Sequence, residues 1–329
     1  MEQVADKNLK IQLELEQKDR RRKILMNILP FSGLVFIFLF FLVITGGQLV
    51  SSSNLQNLIN QCFTLVIIAV GASFVYAHGG MDFSIGATCG VAQVAGSMLF
   101  IKAEAPIWFA FLITILTGVF CCVLVAGSSI LARVPVFVAS LCMRSIATGI
   151  LSTTVAKSEI IIPFAEYKYM NNMLLKVIVL VSVIVIGVYL FEFTSLGKSE
   201  RAIGGNILTA SQGGIQTKKI MLIAYVLMGT CVGLAAVFQM FRTGYVTAQS
   251  GSGLEFEIMT AIVLGGFPMT GGDRSKIQAA IIGAITVTIL ANGLALWGLD
   301  PAQVNGVKGL LFLIIVGVSH DRSRGKLVS

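Results

Sequence analysis

Charge is scarce in this chain. Only 12% of its 329 residues are Asp, Glu, Lys or Arg, whereas a soluble globular domain carries about 25%. Hydrophobic residues make up 56% of the chain, and the mean hydropathy is +0.87. So few charged side chains could not cover the surface of a soluble domain. The composition therefore predicts a polytopic membrane protein and excludes most classes of soluble enzyme.

Histidine is also scarce, and the cysteines are not paired by spacing. The two histidines, His78 and His320, are far apart in sequence, so we expect no metal site. The six cysteines include no C-x-x-C pair and lie within or beside apolar segments. In such surroundings a free cysteine acts as a small hydrophobic residue. We expect no disulfide framework and no bound cofactor.

Catalytic motifs are missing as well. The tripeptide Gly197-Lys198-Ser199 resembles the end of a phosphate-binding loop, but Glu192 stands where that loop needs its first glycine. The sequence contains no paired carboxylates and no nucleophile motif. We therefore expect a protein that is not an enzyme, and any ATP hydrolysis must occur on a separate subunit.

Long apolar runs dominate the rest of the chain. A membrane-spanning helix needs about 20 mostly apolar residues, and ten segments approach or meet this length. They are residues 24–45, 55–77, 85–101, 107–131, 135–155, 173–193, 220–240, 254–268, 277–297 and 302–318. These segments predict an all-α fold with one transmembrane domain over residues 24–318.

The basic residues indicate the orientation. Residues 1–23 form a polar arm that ends in four consecutive basic residues directly before the first span, so we expect no cleavable signal peptide and an arm on the cytoplasmic side. A weak apolar stripe in the arm predicts a short helix, either free or bound to a partner. With ten spans the tail, residues 319–329, is also cytoplasmic, and the inner segments hold most of the 24 basic residues. The net charge of +8 thus records orientation and does not indicate nucleic acid.

The longest predicted inner loop, residues 194–219, has its own pattern. Its core, from Glu200 to Gln212, is moderately amphipathic and is accompanied by pairs of glycines that permit sharp turns. This pattern is typical of a short helix lying across the inner surface. A plain connecting loop is the alternative.

Several polar residues lie in or near the spans. Asp82 could carry protons, or its carboxylate could accept hydrogen bonds from free amides between two helices, assisted by Ser84; the neighbouring glycines favour the second role. Arg144 lies in the middle of the fifth span, so it faces an aqueous pathway or the span is misplaced. Amides can hold helices together or contact a polar solute. The candidate pathway residues are Asn57, Gln61, Gln93, Arg144 and Asn292.

Three ordered segments carry a family resemblance. Residues 79–86 read GGMDFSIG, residues 202–215 read AIGGNILTASQGGI, and residues 252–272 read SGLEFEIMTAIVLGGFPMTGG. They are similar to the motifs GGIDLSVG, AIGGNxxAAxxSGI and SGxxYELDAIAAVVLGGxSxxGG. The chain thus resembles the ribose/galactose-type permease subunits of bacterial ABC importers. Glu257 and Arg274 depart from the family pattern, and Arg144 lies one helical turn before a frequent arginine.

The resemblance implies a ten-span subunit of the bacterial inner membrane that imports a monosaccharide or related small polar solute. It implies a second permease subunit, identical or different, surrounding membrane lipid, a cytosolic ABC ATPase subunit and an extracytoplasmic solute-binding protein. An ATPase-coupling helix is implied at Arg201, Gly204, Gly205, Asn206, Ala210 and Gly214. A break between helices is implied at Gly79, Gly80, Asp82, Ser84 and Gly86. Two alternatives remain: an ion-coupled secondary transporter, which Asp82 and Arg144 would serve, and a membrane scaffold without transport.

Overall fold

The computed structural model describes residues 30–155, 159–163 and 172–319. The polar arm, the tail beyond residue 319 and most of the hydrophilic segment at residues 156–172 lie outside these ranges. Statements about the fold below therefore concern the described residues.

Helices account for nearly all of the regular structure. The long or membrane-embedded helices are α1 Pro30–Ile44, α2 Ser52–Ala77, α3 Ile85–Lys102, α4 Ile107–Ala132, α5 Val136–Thr154, α6 Met173–Val188, α9 Thr217–Thr243, α10 Leu254–Leu264, α11 Ile277–Leu296 and α12 Pro301–Ser319. Two short helices, α7 Ser195–Gly205 and α8 Ile207–Gln212, lie between α6 and α9. A 3-10 turn, Gln48–Val50, precedes α2, and a π-helical turn, Tyr189–Phe193, continues α6.

The all-α, polytopic prediction is confirmed. Each predicted apolar segment contains one helix, with ends close to those expected. Among the described residues, seven helices are long and apolar enough to cross a membrane: α2, α3, α4, α5, α6 with its π-helical turn, α9 and α11. The described residues also contain one short antiparallel sheet, in which β1 Ile160–Ile161 pairs with β2 Tyr245–Val246.

Helix α2 lies at the centre of the bundle. It packs against α9, α11, α6 and α10, and its residues are buried continuously from Cys62 to Ala77. A helix that is apolar on all sides is stable where other helices surround it. The outer helices are different, because only 17% of the most apolar stretch of α6 is buried within the chain. The exposed surface of α6 therefore faces lipid or another subunit.

Glycines allow close helix contacts between α4 and α9. A Cβ atom added to Gly229 of α9 would lie 2.6 Å from the Val119 Cα atom of α4, and one added to Gly118 would lie 2.8 Å from the Gly233 nitrogen. No side chain fits at these distances. Small residues of this kind let two backbones touch, which is how helices pack in a membrane that provides little hydrophobic driving force between them.

Candidate functional site

The segment between α6 and α9 folds as two helices and not as the single helix expected over residues 200–212. Asn206 causes the division. Its backbone is extended, and its side-chain oxygen accepts hydrogen bonds from the amides of Leu208, at 2.9 Å, and Thr209, at 3.1 Å. This is an N-cap, which ends α7 and starts α8. Thr194 caps the start of α7 in the same way, accepting from the amide of Leu196 at 3.3 Å.

One face of α7 lies flush against the end of α2. A Cβ atom added to Gly204 would lie 2.1 Å from the Ala77 carbonyl oxygen and 2.5 Å from the Gly272 nitrogen. Ile203 is also buried on this side, with 4% of its surface exposed. A residue larger than glycine at position 204 would therefore push α7 away from α2.

A buried polar contact fixes α7 to α2. The Nδ1 atom of His78, just after α2, lies 2.7 Å from Oε2 of Glu200, and their side chains are 1% and 0% exposed. Burial raises the pKa of the Glu200 carboxyl, and the hydrogen bond with His78 opposes that rise only in part. The two residues are 122 positions apart in the sequence, so this contact joins two segments that are distant along the chain.

Arg201 braces the joint between α6 and α7. Its Nη1 atom lies 3.1 Å from Oε2 of Glu192, and its guanidinium group lies over the Phe191 ring, 5.2 Å from the centroid. The side chain, expected to serve coupling, contacts the π-helical turn that continues α6. These contacts hold α7 against the end of α6.

The opposite surface of this segment is open and partly apolar. Gly205, Asn206 and Gly214 are exposed, and 49% of Ile207 and 72% of Leu208 is exposed on α8. The basic residues Lys198, Lys218 and Lys219 are exposed around them. Ala210, also expected at the coupling site, is buried with 6% of its surface exposed.

We call the exposed residues Gly205, Ile207 and Leu208 the α8 knob. Neighbouring exposed apolar side chains on a polar segment are typical of a protein contact. The sequence reasoning did not select Ile207 and Leu208, although two apolar residues directly after the N-cap Asn206 are a readable signal.

The predicted break between helices lies between α2 and α3. Gly79 has a positive φ of 84°. Asp82 Oδ1 accepts hydrogen bonds from the amide and the hydroxyl of Ser84, both at 2.6 Å. Burial raises the pKa of the Asp82 carboxyl to about 6, against the opposing effect of the Ser84 hydrogen bonds. Gly80 and Gly86 are buried at this break, and a Cβ atom on Gly86 would meet Glu255 and the Gly251 carbonyl oxygen.

Arg144 lies in the middle of α5, whose bounds agree with the predicted segment 135–155. Its Nη2 atom lies 2.9 Å from Oε1 of Glu255 at the start of α10, where the carboxylate side chain is 3% exposed. The guanidinium group also lies 5.7 Å from the centroid of the Phe256 ring. Because 37% of the Arg144 side chain is exposed, this ion pair reaches the surface of the subunit.

The remaining candidate pathway residues have different surroundings. Asn57 is exposed on α2. Gln93 is 1% exposed and donates to the Cys89 sulfur at 3.4 Å. Asn292 exchanges two hydrogen bonds with Asn54, at 2.8 and 3.0 Å, and so joins α11 to α2.

Gln61 lines a cavity of about 230 Å³ between α2, α9, α10 and α11. The cavity also contains Gln239, Arg242 and Glu257, which the sequence reasoning did not assign to a pathway. No group of three His, Cys, Asp or Glu side chains in the described ranges could hold a metal ion.

Comparison with known proteins gives one family. The family model described as "Branched-chain amino acid transport system / permease component" matches residues 54–316. The ribose import permease protein RbsC of Escherichia coli (strain K12) is 28% identical over 282 residues, covering 82% of this chain and 86% of that protein.

Two further relatives have similar identity. RbsC of Bacillus subtilis (strain 168) is 27% identical over 323 residues, covering 95% of this chain and 98% of that protein. The galactofuranose transporter permease protein YtfT of Escherichia coli (strain K12) is 26% identical over 289 residues, covering 85% and 83%. No solved structure matches the chain.

Proposed function

The chain belongs to the family of branched-chain amino acid transport system / permease components, and from this premise we propose which solute it carries and how it is driven. It is a multi-pass permease subunit of an ABC importer in the bacterial inner membrane. The description of the family refers to amino acids, whereas the relatives given above are described as permeases for ribose and galactofuranose. We assign to this chain a monosaccharide or a related small polar solute.

We propose that the chain crosses the membrane ten times and has both termini in the cytoplasm. Seven helices meet the length and hydropathy needed for crossing, and α1, α10 and α12 occupy the other three predicted segments. Placing both termini inside puts most basic residues on the cytoplasmic side, as the positive-inside rule requires. It also puts α7 and α8 on that side.

The observation that carries the coupling proposal is the two-sided character of α7 and α8. One side is fixed to α2 by His78 and Glu200, and the other exposes the α8 knob. We assign the knob to a groove of a cytosolic ABC ATPase subunit, with the surrounding lysines at the rim. ATP-driven closure of two ATPase subunits would shift α7 and thereby α2, which switches access to the pathway.

Two other partners complete the assembly. A second permease subunit would cover part of the exposed apolar surface, and lipid would cover the rest. A solute-binding protein would deliver the solute on the side of the membrane opposite the ATPase. These partners follow from the ABC permease family, and the chain itself carries no motif for ATP hydrolysis.

The ion-coupled alternative is not favoured. It depended on Asp82 and Arg144 as free charged groups near the pathway. Asp82 already accepts two hydrogen bonds from Ser84, and Arg144 is paired with Glu255. Both groups therefore have structural contacts, and the matched family and the named relatives are permease components of transport systems.

Reconstitution into lipid vesicles tests the proposal. The purified chain should hydrolyse no ATP, and the complex with its ATPase should hydrolyse ATP faster when solute-loaded binding protein is added. Radiolabelled ribose and galactose are the first solutes to measure. Uptake should require ATP and should be lost when the ATPase is inactivated. Uptake driven by a proton or sodium gradient without the ATPase would contradict the proposal.

A further inference from the structure

The cavity lined by Gln61 lies far from the coupling segment, on the same central helix. Gln61 precedes His78 by 17 residues on α2, which corresponds to about 25 Å along a helix. Its other walls come from the final turns of α9, the first turn of α10 and the middle of α11. In the proposed orientation the cavity opens in the half of the bundle nearer the binding protein.

Most of the lining is polar, although four helices meet here. The polar residues are Gln61, Thr64, Gln239, Arg242, Glu257 and Thr288. The apolar ones are Leu65, Leu254, Val287 and Ala291. Polar side chains within a membrane domain are expensive unless they serve a partner or a solute, and six of them around one cavity indicate a site for a polar molecule.

Of the two charged side chains in the cavity, Glu257 has a partner and Arg242 has an unpaired donor in the described part of the chain. Glu257 is bound by the Lys308 ammonium group of α12. The buried Nε atom of Arg242, in contrast, has no hydrogen-bond partner among the described residues. A buried donor without an acceptor is unfavourable. A molecule that accepts hydrogen bonds would therefore be stabilised in this cavity.

We propose that this cavity binds a hydroxyl-rich solute of monosaccharide size during transport, with Arg242, Gln61 and Gln239 as its hydrogen-bonding groups. The inference rests on the proposed importer function and adds the place where the solute is held within the permease. Amides donate and accept, so they suit hydroxyl groups, which do both. The apolar residues can contact the C–H faces of a sugar ring.

The cavity suits a small solute, and its charges argue against an amino acid. The volume of about 230 Å³ is below the roughly 300 Å³ at which sites for drug-sized ligands begin. An amino acid would need a free carboxylate for its ammonium group, but the carboxylate present, Glu257, is neutralised by Lys308.

Alanine substitutions in the assembled transporter test the site. The complete complex in proteoliposomes is supplied with radiolabelled ribose, galactose and leucine, and the solute that the wild type accumulates is used for the variants. Gln61→Ala and Gln239→Ala should each lower uptake at subsaturating solute about five- to tenfold, the effect of one lost hydrogen bond. Gln56→Ala, on an exposed residue of the same helix, should stay within twofold of wild type.

Folding is checked by gel filtration and unfolding temperature. If Gln61→Ala fails to fold, Gln239→Ala on α9 gives the answer, and Ala291→Leu, which fills the cavity, should also abolish uptake. Wild-type uptake by folded Gln61→Ala and Gln239→Ala would overturn the site. Accumulation of leucine and not of sugars would overturn the solute class. Uptake by the wild type that does not require ATP would refute the proposed function instead.

Discussion

The Nδ1 atom of His78 lies 2.7 Å from Oε2 of Glu200, and both side chains are almost completely buried. This contact joins the end of the central helix to the segment that we propose to dock an ATPase. The apolar packing of α7 holds the same two helices together, and the His78–Glu200 contact adds a directional hydrogen bond between them.

The contact should be worth measurable stability. Glu200→Ala removes the acceptor and leaves His78 buried without its partner, so we expect a loss of about 1–3 kcal/mol in unfolding free energy. A double-mutant cycle with His78→Ala, measured by unfolding in detergent, should give a coupling energy of about 1 kcal/mol or more. Lys198→Ala, on an exposed residue of α7, is the control and should change little. Strictly additive effects at positions 78 and 200 would contradict the direct contact.

Alanine substitutions at two adjacent glycines of α7, Gly204 and Gly205, should have different effects on stability. Gly204→Ala places a methyl group 2.1 Å from the Ala77 carbonyl oxygen, so it should destabilise the protein by at least about 1 kcal/mol. A Cβ atom on Gly205 meets nothing within 4 Å, and alanine favours a helix over glycine. Gly205→Ala should therefore leave the unfolding temperature unchanged or raised. Equal destabilisation by the two variants would show that α7 does not lie against α2 as described.

Asp82 should make stability depend on pH in a defined direction. Its pKa is raised to about 6 in the folded protein from its ordinary value of 3.8, so the folded state favours the protonated carboxyl. The resulting stability is present at pH 4 and is lost as the pH rises to about 6 and beyond. Asp82→Asn has no charge to bury, and its side-chain oxygen can still accept from Ser84.

The comparison of the two proteins isolates this effect. The raised pKa of Glu200 contributes with the same sign, but it is present in both and cancels in the difference. Between pH 4 and pH 7 the wild type should lose about 2–3 kcal/mol relative to Asp82→Asn, measured by unfolding at several pH values. Parallel pH profiles for the two would contradict a buried carboxyl at this position.

The protein should lose more stability when one partner of the ion pair between α5 and α10 is removed than when both are replaced. Arg144→Ala leaves Glu255, only 3% exposed, without its counter-ion. Because Arg144 itself is 37% exposed, we expect a loss of about 1–3 kcal/mol, less than breaking a fully buried pair costs. The double variant Arg144→Met, Glu255→Gln should recover much of that loss in an unfolding assay. Thr148→Ala, exposed on α5 one turn later, provides the control. A double variant less stable than Arg144→Ala would refute the pairing.

The sequence predicted the helices well because hydropathy and length determine them locally. The segment expected at 173–193, for example, is occupied by α6 and its π-helical turn, Met173–Phe193. The division of residues 194–219 into α7 and α8 was missed, because it depends on the side chain of the single residue Asn206.

The contacts that organise the site could not be predicted in this way. His78 and Glu200 are 122 residues apart, and nothing in either local segment indicates the other. Arg242 is not among the candidate residues from the sequence, because its place beside Gln61 and Gln239 depends on how α2 and α9 pack. Asn292, expected near the pathway, forms a hydrogen-bonded pair with Asn54 that only the packing of α2 and α11 creates.

The docking of the α8 knob on an ATPase is tested most directly by Gly205→Trp in the reconstituted complex. Position 205 has open space around it, so the bulky side chain should leave the permease folded and obstruct only the docking surface. We predict that uptake falls at least tenfold and that binding protein no longer stimulates ATP hydrolysis, while Gly205→Ala retains both. Wild-type uptake and stimulation in Gly205→Trp would show that the ATPase does not dock there.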